Sequence, residues 1–315
     1  MTRLITGGTG FVGSELANRL VEQGDKVVLF DISPNINAVK KIKDKITIIR
    51  GDLSNWSEVF NVVKEHNIKS IFHLGAMLSI PADVNPWAAY RVNADGTLNI
   101  LEAARLFDVE KVIFTSTTAV YAGYALPINE STIQKPESMY GITKLFSENL
   151  GRFYFKKFGL DFRVIRYPTV IGLGARTKHM SQYMSWMIEN SLSNNPFDVW
   201  VNEDTRNPCL YYKDAVLALL MIHDAPSQNI KTRVYNLAGI SLTAKEFVDE
   251  VKKHIPSAKI AFKPDPEIVK LMGKGFGFID DTCAKKEWGW RMRYDMKSML
   301  EDIKSESESK INYKS

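Results

Sequence analysis

Short apolar runs alternate with amphipathic stretches through the first half of the chain. Arg3-Leu4-Ile5-Thr6 reads as a strand, after which Leu16, Ala17, Leu20 and Val21 recur at helical spacing up to Gly24-Asp25. Residues 26–30 form a second buried-strand pattern, and residues 46–49 a third that runs out at Gly51-Asp52-Leu53. A helix over 56–66 turns Val59, Phe60, Val62 and Val63 inward. Strand 70–74, helix 93–107, strand 111–115, helix 138–158 and strand 161–166 complete the series. This alternation predicts an α/β fold, a doubly wound parallel sheet with helices on both faces. In such a sheet, ligands bind beyond the carboxyl ends of the strands. The distinctive polar and glycine positions fall at those ends: the turn after the first strand, Asp31, Asp52, Gly75-Ala76, Thr117 and Pro168.

The first strand runs directly into Thr6-Gly7-Gly8-Thr9-Gly10-Phe11-Val12-Gly13, where three glycines take the spacing G-x-x-G-x-x-G. Gly7 suits the positive φ of a tight turn. Gly10 leaves the backbone open to a phosphate, and Gly13 lets the following helix pack close to the strand. That helix directs its N-terminal amides and positive dipole end at an anion. Asp31 closes the second strand, 18 residues after Gly13, where an acid hydrogen-bonds both hydroxyls of an adenosine ribose. A turn of this kind without a ligand needs no such acid. Asp31 also favours NAD over NADP, because its charge repels a 2′-phosphate. Ser33-Pro34-Asn35 holds no Arg or Lys to bind one, and Lys40 and Lys41 lie further along.

The second half is less regular. A Met-rich helix over 180–192, a strand-like run over 235–238, and helices with a short strand over 243–301 predict a smaller lobe interleaved with the sheet. The expected division is a Rossmann domain over 1–170 with a return strand near 233–239, a substrate-binding lobe over 171–304, and a flexible Ser-, Lys- and Glu-rich tail over 305–315. A length of 315 residues suits one large or two interlocked domains. The net charge of +5, from 41 basic and 36 acidic residues, comes without the basic stripe and interleaved aromatics of a nucleic-acid surface. No run reaches the roughly 18 apolar residues of a membrane span. The N-terminus opens on a strand rather than a signal peptide, and Cys209 and Cys283 are too few for a disulfide framework. A cytoplasmic location follows as the expectation. Cys209, in an apolar run, reads as a buried small hydrophobe. The five histidines lack metal-ligand spacing, so no metal site is predicted.

Tyr140 and Lys144 stand at i and i+4 of a predicted helix and share one face. A free tyrosine, with a pKa near ~10, is too weakly acidic to serve as a base at neutral pH. An ammonium held beside it favours the phenolate. Tyr140 would then take a proton from a substrate hydroxyl while hydride leaves for a cofactor. The hydroxyl run Thr115-Ser116-Thr117-Thr118 ends the preceding strand and supplies a group to orient the substrate oxygen. A Tyr–Lys pair alone is common on solvated helices. The order glycine turn, acid, hydroxyl-rich strand end and Tyr-x-x-x-Lys gives it force.

With these motifs the chain resembles the extended short-chain dehydrogenase/reductases over nearly its whole length. The matching segments, in order, are Gly7 to Gly13, Gly51-Asp52-Leu53, His73-Leu74-Gly75-Ala76, Asn93 with Gly96-Thr97, Thr115 to Tyr121, Tyr140 with Lys144, and Arg166-Tyr167-Pro168. The resemblance implies NAD as cofactor and a small-molecule substrate. It implies that Gly7, Gly10, Phe11, Val12, Gly13 and Asp31 hold the dinucleotide. Asp52 and Leu53 would lie near the adenine, Leu74, Gly75 and Ala76 along the cofactor, and Asn93, Thr115, Tyr140, Lys144, Tyr167 and Pro168 further around it, with Lys144 also able to hold the nicotinamide ribose. Thr117 takes the place usually held by a catalytic serine, with Thr118 as the alternative. The resemblance also implies a homodimer, in which helices 94–107 and 138–158 pair across a two-fold axis. Leu145, Leu150, Phe153, Phe155 and Phe158 supply apolar surface for it.

Several segments are similar to the short-chain type of L-threonine 3-dehydrogenases. They are residues 73–79 (HLGAMLS), Asn85-Pro86-Trp87, 204–214 (DTRNPCLYYKD), 235–239, 280–284 and Trp288-Gly289-Trp290. Trp288 and Trp290 are expected to pack the lobe. This resemblance implies oxidation of L-threonine to 2-amino-3-oxobutanoate, with Ser79, Thr117, Thr118, Tyr140, Thr177 and Arg206 as candidate substrate contacts. Arg206 would pair with a carboxylate or else bridge the lobes. One departure stands out. Where those enzymes carry Gly-Thr-Thr-Asp-Tyr, this chain has Gly174-Ala175-Arg176-Thr177-Lys178-His179-Met180. The acid is gone and the loop is basic, which suits an anionic alcohol as well. The alternative is a nucleotide-sugar 4-epimerase or dehydratase that keeps its NAD. A redox sensor without catalysis would lose Tyr140 or Lys144, and both are present.

Overall fold

A computed structural model describes residues 1–121, 127–177, 179–272 and 275–312. The strands are β1 (Thr2–Thr6), β2 (Lys26–Asp31), β3 (Ile46–Arg50), β4 (Ser70–His73), β5 (Lys111–Thr117), β6 (Asp161–Tyr167), β7 (Thr169–Ile171), β8 (Phe197–Val199), β9 (Arg206–Tyr211), β10 (Val234–Asn236), β11 (Ile240–Thr243) and β12 (Ile260–Phe262). The helices are α1 (Phe11–Glu22), α2 (Trp56–Glu65), α3 (Ser79–Val84), α4 (Pro86–Ala89), α5 (Gly96–Leu106), α6 (Met139–Phe158), α7 (Tyr183–Leu192), α8 (Tyr212–Asp224), α9 (Ala244–His254), α10 (Pro266–Met272), α11 (Thr282–Trp288) and α12 (Met296–Asn312).

Seven strands form one sheet in the order β10-β6-β5-β4-β1-β2-β3, and every pairing in it is parallel. Neighbouring residues on each strand face opposite ways. Leu4, Val28, Val112 and Val164 meet α2, α5 and α6 on one face, through Val59, Val62, Ile100, Leu101 and Tyr154. Ile5, Leu29, Ile113 and Ile165 meet α1 and α8 on the other, through Leu16, Leu20, Leu219 and Ile222. The continuous apolar runs of these strands thus have a cover on both sides. The sheet is the doubly wound parallel one that the alternation predicts.

Residues beyond β6 contribute to both parts of the molecule. β10 returns to pair with β6, and α8 packs on the central sheet. β7, β9 and β11 form a separate three-stranded sheet, and β8 pairs with β12. A second core lies between them and α7, α9 and α12, built on Met184, Met187, Phe247, Val251, Met299 and Ile303. Cys209 is buried there, as expected.

Three expectations change. The helix expected over 93–107 starts later: Tyr90–Asp95 is a π-helical turn and α5 begins at Gly96. Asn93 sits in that turn, and the Thr97 hydroxyl donates to its carbonyl at 2.6 Å. Trp288 and Trp290 do not pack the small lobe. They close the core under the central sheet, with Trp288 edge-on to Tyr235 of β10 at 5.7 Å. The tail expected to be flexible from residue 305 continues α12 to Asn312, and Glu306 accepts a 3.0 Å hydrogen bond from the Tyr212 hydroxyl. Apolar anchors before residue 304 hold that helix in register, which composition alone does not reveal.

Candidate active site

The order of the sheet places β1 between β2 and β4, so the chain leaves β1 and β4 towards opposite sides and opens a crevice between them. Gly7 takes φ +63° there, and a Cβ on it would lie 2.9 Å from the Gly75 Cα. The glycine turn and the end of β4 therefore touch backbone to backbone. A Cβ on Gly13 would lie 2.3 Å from the Gly7 carbonyl oxygen, so α1 packs against the turn itself rather than against the strand. Gly10 is the N-cap of α1, with no side-chain cap and no acidic residue in the first turn. The amides of the first turn, on Phe11, Val12 and Gly13, are free of side-chain acceptors, as an incoming phosphate needs.

Asp31, at the end of β2, turns its carboxylate to this cradle. Oδ2 accepts from the Thr9 amide at 3.1 Å and the Thr9 hydroxyl at 2.8 Å, and Oδ1 accepts from the Ser33 amide. Asp52 orders the turn into α2 by accepting from Ser54. Leu53 is buried, and its Cδ1 stands 2.9 Å from where a Gly75 Cβ would be. Leu74, Gly75 and Ala76 are half-buried along the crevice. The Asn93 side chain grips the same strip by donating to the Met77 carbonyl at 3.0 Å and accepting from its amide at 2.8 Å. These residues fit a dinucleotide: a cradle that any Cβ would fill, free helix amides and a fixed carboxylate.

The second cluster stands at the ends of β5 and β6. Ser138 caps α6 by accepting from the Gly141 amide, and Asp83 of α3 accepts from the Met139 amide at 2.7 Å. A Cβ on Gly141 would lie 2.7 Å from the Ala119 carbonyl oxygen, so the start of α6 lies directly on the turn after β5. That contact sets the first turn of α6, which carries Tyr140, against the turn that follows Thr117. The Thr117 hydroxyl accepts from the Ala119 amide at 3.1 Å, which leaves its proton to donate. Thr117 is half-buried, whereas Thr118 is buried. Lys144 is buried too. Its Nζ donates to the Thr115 carbonyl at 2.7 Å and lies 4.5 Å from the Phe114 ring centre and 5.7 Å from the Tyr140 ring centre. Burial pulls the Lys144 ammonium down to about 7, against the opposing pull of the Glu148 carboxylate. Burial raises the Tyr140 phenol above its ordinary value. The expected effect of the ammonium on Tyr140 is therefore not the dominant one in this pocket: desolvation drives both groups towards neutrality.

The remaining candidates divide. Ser79 begins α3, half-buried. Tyr167 commits its hydroxyl to the Ala215 carbonyl at 2.6 Å inside the core, which leaves only its backbone for a ligand; Pro168 is buried beside it. Arg206 donates to the Ser241 carbonyl, lies 3.6 Å from Glu246 and covers the Phe278 ring, so its guanidinium already joins β9, β11 and the segment before α11. Thr177 is exposed. In the loop that reads as basic, Arg176 pairs with Glu189, and burial lowers His179 to about 4, below the range where it carries charge. Lys178 lies outside the described residues.

Sequence reading gave no individual role to His73, Thr9, Gly141 or the Glu148–Arg166 pair. Signals were present for two of them: Arg166 interrupts an apolar strand, and Glu148 continues the Tyr140–Lys144 face at i+4. Among the described residues no group of His, Cys, Asp and Glu could hold a metal, and no helix is long and apolar enough to cross a membrane.

Free helix amides and a Cβ-intolerant glycine turn at the switch point of a doubly wound sheet are the features of an α/β dinucleotide-binding protein. The chain belongs to the NAD dependent epimerase/dehydratase family, whose model matches residues 3–238. Its cofactor is NAD. Over 307 residues it is 29% identical to the mitochondrial L-threonine 3-dehydrogenase of Bos taurus, covering 94% of this chain and 80% of that one. It superimposes on the crystal structure of L-threonine dehydrogenase from Phytophthora infestans with a TM-score of 0.90 at 30% identity, covering 98% of this chain and 100% of that chain. A monomeric L-threonine 3-dehydrogenase from a metagenome, in its apo form, matches with a TM-score of 0.88 at 28% identity over 96% of this chain and 98% of that one.

Proposed function

We propose that the protein is an NAD-dependent dehydrogenase that oxidises the secondary alcohol of L-threonine to 2-amino-3-oxobutanoate. The similarity to L-threonine dehydrogenases along the whole chain carries this reading. When bound, the oxidised nicotinamide supplies the hydride acceptor and a formal positive charge. In this proposal Thr117 donates a hydrogen bond to the substrate oxygen, and Tyr140 accepts the hydroxyl proton as the carbon gives up hydride. Lys144, fixed by the Thr115 carbonyl, would together with the cofactor's positive charge favour the phenolate form in which Tyr140 takes that proton. Phe11, Val12, Asp31, Leu53 and the strip Leu74–Ala76 hold the dinucleotide. Ser79, Thr177 and Thr118 line the amino-acid side, and Arg206 is the candidate carboxylate partner. With Arg176 paired to Glu189 and His179 held neutral, the loop from Gly174 is less basic than its composition, which supports a zwitterionic substrate over a highly anionic one.

The test is NADH formation by purified protein with NAD and L-threonine, beside NADP, hydroxy acids and nucleotide sugars. Rapid NADH with threonine alone is the expected result. Tightly retained NAD, no net NADH and interconversion of a nucleotide sugar would establish the second reading, an epimerase or dehydratase, which the family's own breadth favours.

We further propose a homodimer through α5 and α6. Leu98, Leu106, Ile142, Phe146 and Phe153 are exposed on these helices, whereas Leu145 and Leu150 pack inward. Light scattering that shows only monomer ends this proposal. Two free cysteines support a reducing, cytoplasmic setting.

A further inference from the structure

His73 ends β4 at the centre of the sheet, between Thr6 of β1 and Phe114 of β5, and is 1% exposed. Both ring nitrogens are engaged. Nδ1 lies 2.7 Å from the Thr6 hydroxyl, and Nε2 lies 3.1 Å from the Thr97 hydroxyl. Each threonine has one proton to give. Thr97 gives its proton to the Asn93 carbonyl at 2.6 Å. Its oxygen must then accept from His73, so Nε2 carries the hydrogen. Nδ1 is left as an acceptor and takes the proton of Thr6, whose oxygen accepts from the Gly75 amide at 3.0 Å. The chain of donors therefore runs one way, from the Gly75 amide through Thr6, His73 and Thr97 to the Asn93 carbonyl.

Both ends of that chain hold the strip that faces the dinucleotide. Gly75 packs on Gly7 of the phosphate turn. Asn93 clamps the amide and carbonyl of Met77. We propose that His73 is a positioning residue for NAD: as a neutral Nε2–H imidazole it fixes residues 75–77 in the shape that receives the dinucleotide, without touching the dinucleotide itself. This inference rests on the family's cofactor and not on the choice of alcohol. A cationic ring would break the sequence of donors, because both nitrogens would donate and the Thr6 proton would lose its acceptor. Burial, and then the nearby Lys144 charge, hold the ring neutral by lowering His73 to about 3.

The test compares His73→Phe with His73→Gln. Phenylalanine fills the space and offers no hydrogen bond. Glutamine offers an acceptor to Thr6 and a donor to Thr97 in the same direction. NAD affinity is measured by calorimetric titration without any alcohol, so a wrong substrate assignment leaves the result unchanged. The Phe variant should bind NAD about tenfold more weakly or worse, with the Gln variant restored to within about threefold of the parent. Equal losses in both variants, or parent-like affinity in the Phe variant, overturn the proposal. Nitrogen NMR of the parent histidines needs no variant to fold: a buried ring protonated at Nε2 alone is expected, and an Nδ1–H or cationic His73 overturns it.

Discussion

Arg166 holds Glu148 through two parallel hydrogen bonds, Nη2 to Oε2 at 2.5 Å and Nε to Oε1 at 2.8 Å, and both side chains are fully buried. Ser116 donates to the same carboxylate at 2.5 Å, and Arg166 also reaches the Tyr121 hydroxyl. The pair stitches α6 to β6 one turn beyond Lys144. Removing one partner strands the other charge away from water. Glu148→Gln should therefore cost roughly 3–5 kcal/mol of stability, whereas replacing both residues by methionine should recover most of it. Urea unfolding of the two variants measures this; equal losses would show that the pair is not a unit.

Gly141 fixes how close the start of α6, with Tyr140, comes to the turn after β5. A Cβ on it would meet the Ala119 carbonyl oxygen at 2.7 Å, so Gly141→Ala must push α6 away from the turn after β5. A displacement on the ångström scale costs on the order of a hundredfold in rate. We expect kcat to fall by that order while NAD affinity, which also draws on the glycine turn and Asp31, falls by much less. Steady-state kinetics with parallel NAD titration separates the two.

Lys144 titrates about 7 in the folded chain, below its ordinary 10.5. Between those values the unfolded chain binds the extra proton, so this group makes the fold more stable as pH rises through the window. The benefit is complete above about 10.5 and lost as pH falls to about 7. Lys144→Met removes this dependence. Relative to the variant, the parent should gain stability from pH 7 to 9, by at least about 1 kcal/mol. Thermal unfolding at both pH values checks it, and an unchanged difference would place the ammonium in water.

Asp31 is held by the Thr9 amide and hydroxyl. Asp31→Asn keeps the shape and removes the charge. NAD should bind roughly tenfold to a hundredfold more weakly, the scale of a lost charged hydrogen bond, and discrimination against NADP should narrow. Binding curves for the two dinucleotides decide it; unchanged discrimination would move the specificity to another residue.

The sequence by itself determined the parallel sheet, because apolar runs with amphipathic helices between them have few other ways to bury both faces. It also located the glycine turn at the end of β1 and the shared Tyr140–Lys144 face, since these depend on spacing within one turn or one helix. Tertiary structure alone decided what desolvation does. Burial, more than the neighbouring charge, sets the titration of Tyr140, Lys144 and His179. It decided partners across the chain as well: Trp288 under β10, Arg206 on Ser241, and His73 between Thr6 and Thr97. Spacing carries local geometry. Burial and long-range hydrogen bonds arise only when distant segments share one interior.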